Sequence, residues 1–103
     1  MAWVLLIGAA LLEVVWATAL GRSEGFTRPW PTTIGIVGAV ASFVLLTIAM
    51  RDLPVGTAYA VWVGLGAVGV VLLGIIVSGE SASPLRLACL ALIVVGVVGL
   101  KLA

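Results

Sequence analysis

Glu13 is the residue in this chain that most needs a chemical explanation. It sits inside an apolar stretch, with Leu11-Leu12 before it and Val14-Val15 after it. A charge at the centre of a membrane helix costs at least about 2.5–3.5 kcal/mol, so such residues face a cavity or a partner and mark ion pathways or proton relays. No basic residue lies in the interior of any apolar stretch to pair with it. A carboxylate without a built-in partner is a site for an exogenous cation or for a proton, which favours proton-coupled cation transport over anion transport. The plainer alternative is a structural glutamic acid, protonated and hydrogen-bonded between helices.

Four other residues have types and spacings that suit the same chemistry. Trp16 lies three residues after Glu13 and so shares its helix face. Its indole N–H could bond the carboxylate and its ring could stack on a flat cation. It could equally be packing residue, since tryptophans such as Trp3 and Trp30 favour membrane interfaces. Tyr59 and Trp62 are three apart, and Gly66 continues their stripe. They form either a cation-binding wall or ordinary aromatic packing. Ser42 could donate a hydrogen bond to Glu13 or bond back to its own helix. Gly64-Leu65-Gly66 offers either a kink, and hence a hinge for alternating access, or close packing.

The elements that carry these residues follow from composition. The chain has 103 residues, 64% hydrophobic and 9% charged. A soluble domain is about 25% charged and about 45–50% apolar, so the solvent that fits is a bilayer. A membrane helix needs about 20 apolar residues. Four such helices fit between the charges, at about 2–20, 32–50, 55–78 and 85–102, and residues 1–103 are expected to form a single four-helix transmembrane domain. Pro29 and Pro31 bracket the start of the second helix, Pro54 precedes the third and Pro84 opens the fourth. The apolar runs do not alternate with polar residues, which excludes a β-barrel. Short loops make each helix antiparallel to the next.

Four helices can hardly enclose a solute pathway alone, so an oligomer is expected. Gly96-Val97-Val98-Gly99 is a small pair that would serve either close helix association or packing within the protomer. Arg51 and Lys101 share one side of the membrane, and Arg22, Arg28 and Arg86 the other. Two against three is a weak positive-inside bias, compatible with insertion in both orientations.

Other classes of function fit poorly. A net charge of +1 leaves no basic footprint for nucleic acid. The single Cys89 can form no intrachain disulfide, and with no histidine a transition-metal site is not expected. No cofactor and no enzymatic activity are expected. The first apolar segment has no basic flank ahead of it and is expected to be a retained helix rather than a signal peptide.

Along its full length the chain resembles the small multidrug resistance family. The resemblance rests on its length, the four-helix layout, Glu13, the loop Ser23-Glu24-Gly25-Phe26-Thr27-Arg28 with Trp30-Pro31, Ala41-Ser42-Phe43, and the run from Pro54 to Trp62. It implies an antiparallel homodimer of dual topology in the bacterial inner membrane, where protons and cationic substrate compete for the two embedded glutamates. Tryptophan in the run Glu13-Val14-Val15-Trp16 resembles the guanidinium-exporter branch rather than the polyaromatic-cation branch. There Trp16 and Ser42 would hold the carboxylate by hydrogen bonds, with Tyr59 and Trp62 lining the site. Arg22 stands where a lysine is common, and Gly79-Glu80-Ser81 lacks the proline that often follows the acidic residue. Two alternatives remain: a broad exporter of quaternary ammonium cations, and a membrane assembly subunit that transports nothing.

Overall fold

The structure of the chain, a computed structural model, describes residues 1–103. It has four α-helices and no strand: α1 (Ala2–Gly21), α2 (Pro29–Ala49), α3 (Val55–Ser78) and α4 (Pro84–Leu102). All four are long and apolar enough to cross a membrane. The 20 residues of α1, at a rise of 1.5 Å, give about 30 Å, the thickness of a bilayer's hydrocarbon core.

The helix ends follow the punctuation of the sequence, with small shifts. α2 starts at Pro29, three residues ahead of the expected 32, and α4 at Pro84 rather than 85. In both cases proline takes the first helical position, where its missing N–H costs nothing. Arg28 before α2 is extended, as the residue preceding a proline prefers. Ser83 caps α4, its hydroxyl accepting from the Arg86 N–H at 3.3 Å. α3 stops at Gly79, which takes a left-handed φ of 67° open chiefly to glycine.

Small residues set the packing. α1 and α2 run antiparallel, with Gly8 facing Leu45, Gly38 facing Trp16 and Gly35 facing Leu20. α1 and α3 run parallel, with Gly66 against Glu13 and Gly69 against Val14. α3 meets α4 at Gly64, where an added Cβ would lie 2.9 Å from Val97 Cγ2 and 3.3 Å from Ile93 Cγ2. In lipid, close approach through small residues takes the place of a hydrophobic drive. Gly64-Leu65-Gly66 therefore does not interrupt α3. The helix is continuous, and its two glycines seat α4 on one side and Glu13 on the other.

The core is small: Leu6, Ala9 and Ala10 of α1, Leu46 and Ala49 of α2, and Ala58, Val61 and Trp62 of α3. Only 16 of 103 residues are buried. The molecule is flat, 41 × 35 × 17 Å. A slab this thin leaves its helix faces to lipid or to a partner. α4 is the extreme case: Leu90 is its one buried residue, and Gly96 and Gly99 face open space. The small pair in α4 thus plays no part in packing within the protomer.

Candidate functional site

Glu13 sits midway along α1, and the parallel packing of α3 brings its carboxylate against Gly66, in the space a side chain there would fill. One carboxylate oxygen, Oε1, is buried and has no hydrogen-bond partner in the chain. Leaving a buried polar atom unpaired costs about 1–3 kcal/mol, more if it is charged. Such a group calls for a proton, a water or a partner that the chain itself does not supply. The Trp16 indole N–H, three residues on, is likewise buried and unpaired. Its ring stem is wedged on α2, with Trp16 Cβ 3.0 Å from where a Cβ on Gly38 would stand. Trp16 is therefore a half-buried residue between helices rather than a lipid-facing one.

Ser42 does neither of the things its sequence position suggested. Fully buried, it donates to the Ala9 carbonyl of α1 at 2.7 Å and accepts from the Trp62 indole N–H of α3 at 2.9 Å. The hydroxyl ties three helices together. It does not touch the Glu13 carboxylate, because antiparallel packing places Ser42 opposite Ala9, one turn before Glu13. The Ala9 carbonyl is the group that the helical pattern pairs with the Glu13 backbone N–H, so Ser42 reaches Glu13 through that peptide alone. In this arrangement neither Trp16 nor Ser42 makes the carboxylate bond that the resemblance implies.

Trp62, 5% exposed, anchors an aromatic group. Its ring lies 5.1 Å from Phe43 at 52° and 5.8 Å from Tyr59 at 49°, the tilted geometry that ring quadrupoles favour. Tyr59 is 54% exposed and Phe43 49%, so the group has a buried base and two open rings. Phe43 does not stand out in the sequence as a site residue. Consecutive residues on a helix point about 100° apart, so nothing in its spacing marks it as a neighbour of Trp62. The available signal was its place in the run Ala41-Ser42-Phe43.

The arrangement thus has two parts, a lone carboxylate on a glycine bed and an aromatic group braced by Ser42. A carboxylate can take a proton, or can pair with a planar N–H donor through two parallel hydrogen bonds. The brace has a measurable consequence. Interhelical hydrogen bonds in membranes average about 0.6 kcal/mol and reach about 1.7. Ser42→Ala removes two of them and leaves the Trp62 N–H unpaired, so a loss of about 1–3 kcal/mol is expected in reversible unfolding in mixed detergent micelles. A Ser42→Ala protein as stable as the parent would mean that the three-helix tie contributes nothing.

Residues 1–93 match the family model described as Small Multidrug Resistance protein. The chain is 55% identical to the guanidinium exporter of Escherichia coli K12 over 103 residues, covering all of this chain and 98% of that protein. It is 56% identical, with the same coverage, to the guanidinium exporters of Citrobacter freundii and Salmonella typhimurium.

Proposed function

The chain belongs to the small multidrug resistance family, and from that membership we propose that it is a proton-coupled antiporter exporting guanidinium or small guanidinyl cations. Its four spans make it a multi-pass protein, and its family places it in the bacterial inner membrane. The observation that carries the proposal is the Glu13 carboxylate, seated mid-membrane on Gly66 with a buried oxygen that nothing in the chain pairs. Guanidinium is planar, presents N–H donors in a fork that matches a carboxylate, and is weakly hydrated, so it enters a low-dielectric site at modest cost. The relatives' names supply the substrate, and the carboxylate gives it a place to bind. Trp16 and the Tyr59–Trp62 pair are the flat surfaces proposed to bound the cation, with Ser42 bracing Trp62.

The functional unit is proposed to be an antiparallel homodimer. Three features support this: a 17 Å slab too thin to enclose a site, an α4 with almost no buried face, and a charge bias too weak to impose one orientation. Exposed rings on Tyr59 and Phe43 favour a second reading, a broader range including quaternary ammonium cations, which lack N–H donors and rely on aromatic contact. Currents from protein reconstituted on solid-supported membranes separate the two: guanidinium alone should evoke them under the first reading, both cations under the second.

Competition for Glu13 also fixes the pH dependence. Protonation removes the anionic site, so affinity for guanidinium should fall as pH falls. Well below the pH of half-protonation the apparent Kd should rise about tenfold per pH unit if one proton is displaced per cation. A Kd measured by calorimetry that is flat across the titration would place the cation on another group.

A further inference from the structure

A cleft of about 280 Å³ runs between α1 and α3 at the end of the molecule that carries the first and third loops. It lies in line with Glu13. On α1 its wall includes Ala17 and Gly21, one and two turns beyond Glu13 on the same face. On α3 it includes Val70 and Gly74, the same steps beyond Gly66. Because α1 and α3 are parallel, both walls lead away from the carboxylate together, mixing small and apolar residues with the hydroxyls of Thr18 and Ser78. At the mouth stand Arg22 and Glu80.

The position of Glu80 follows from the helix end before it. Gly79 turns left-handed, and the Glu80 N–H then donates to the Gly74 carbonyl at 3.2 Å. That turn folds the Glu80 carboxylate over Gly74, against the glycine itself. The repeat along α3 is plain: Gly66 carries one carboxylate and Gly74, eight residues on, carries another. Eight residues at a rise of 1.5 Å separate the two glycines by about 12 Å along the helix. The outer carboxylate makes one ion pair, Glu80 Oε1 to Arg86 Nη2 at 3.5 Å, with both side chains partly exposed. The contact is long and single, not the two-point pairing a guanidinium and a carboxylate can form.

We propose that Glu80 is an outer binding site for the transported cation, with the Arg86 guanidinium as its tethered competitor. The proposal rests on guanidinium being the substrate. A free guanidinium offers Glu80 the group that Arg86 offers it, and can form both bonds where Arg86 makes one. Displacement of Arg86 places the cation at the head of the cleft, about two helical turns from Glu13. The local charge explains why a carboxylate is needed there. Arg22 and Arg86 would make the mouth repel cations if Glu80 were neutral. Ser83 fixes the backbone of Arg86 in the first turn of α4, so the side chain can leave Glu80 without unwinding the helix.

The test uses the full-length protein in proteoliposomes, with currents recorded over a guanidinium concentration series. Glu80→Gln should raise the half-saturating concentration about two- to fivefold, the equivalent of about 0.5–1 kcal/mol for a partly exposed charged contact, with maximal current unchanged within about twofold. Arg86→Gln removes the competitor and should shift half-saturation the opposite way. Glu80→Asp retains the charge but shortens the reach, so it should behave like Glu80→Gln if direct bonding matters. An Asp variant identical to the parent would reduce Glu80 to a source of field and overturn the site. So would an unchanged half-saturation in Glu80→Gln, or a fall in maximal current alone. If Glu80→Gln does not reconstitute, Glu80→Asp decides: a raised half-saturation supports direct bonding, and one equal to the parent's overturns the site. A parent protein that carries no guanidinium current would remove the proposed function and this site together. A parent that carries current with Glu80 variants unmoved would remove only the outer site.

Discussion

Glu13→Gln protein is expected to reconstitute normally and to exchange no cation for protons, leaving pH-reporting liposomes at the level of protein-free vesicles under a guanidinium gradient. Glutamine matches glutamate in size, so the bed on Gly66 stays filled and α1 keeps its contact with α3. What disappears is the one carboxylate within the interior of any span. An amide can neither carry a proton between the two sides nor offset a cation's charge, so both halves of the exchange fail at once. Glu13→Asp keeps the charge and should retain part of the activity. Residual coupled exchange by the glutamine variant, at even a tenth of the parental rate, would mean that another group couples the fluxes.

The second large effect is expected at a residue with no side chain. Gly66→Ala puts a methyl group where the Glu13 carboxylate now rests. The carboxyl end is flexible and the backbone is not, so Glu13 yields and leaves its seat. Overpacking of this kind costs about 1–3 kcal/mol, which corresponds to a roughly fivefold to hundredfold loss of guanidinium affinity if it falls on the bound geometry. A compensating change distinguishes positioning from general damage. Glu13→Asp shortens the side chain by one methylene, about the space the alanine methyl takes. The double variant should therefore bind guanidinium more tightly than Gly66→Ala alone, a coupling that touching residues show and distant ones do not. Losses that merely add would show that the contact does not set the position of the carboxylate.

The sequence makes the fold legible because each helix end carries a local signal. Pro29 and Pro84 mark starts, Gly79 marks a stop, and apolar length defines the spans. Glu13 is legible for the same kind of reason, since an acidic residue in an apolar run needs no neighbour to be noticed. What spacing cannot reveal is which residue of another helix faces it. By spacing, Ser42 suits Glu13 or its own helix, but its partners are the Ala9 carbonyl and the Trp62 indole. A backbone acceptor leaves no mark in the sequence, and the register of α1 on α2 decides which one is in reach. Gly64 and Gly66 are ambiguous in the same way. Two glycines can bend a helix or seat its neighbours, and only the presence of Val97 on one side and Glu13 on the other favours seating.

The aromatic group gives the protein an optical reporter of its own. Trp62 is buried, bonded at its N–H and flanked by Tyr59 and Phe43, so it emits from an apolar, rigid setting. Trp16, half-buried with its N–H unpaired, lies about one turn to the other side of Glu13. The other two tryptophans sit near the ends of the spans: Trp30 stands exposed, and Trp3 lies beneath the Lys101 ammonium, 5.3 Å from its ring centre. With Trp3 and Trp30 changed to phenylalanine, all remaining indole fluorescence comes from the neighbourhood of the site. On the proposed function, a positive charge arriving at Glu13 should alter the field across those two rings, making occupancy readable as a change in colour and brightness of an unlabelled protein.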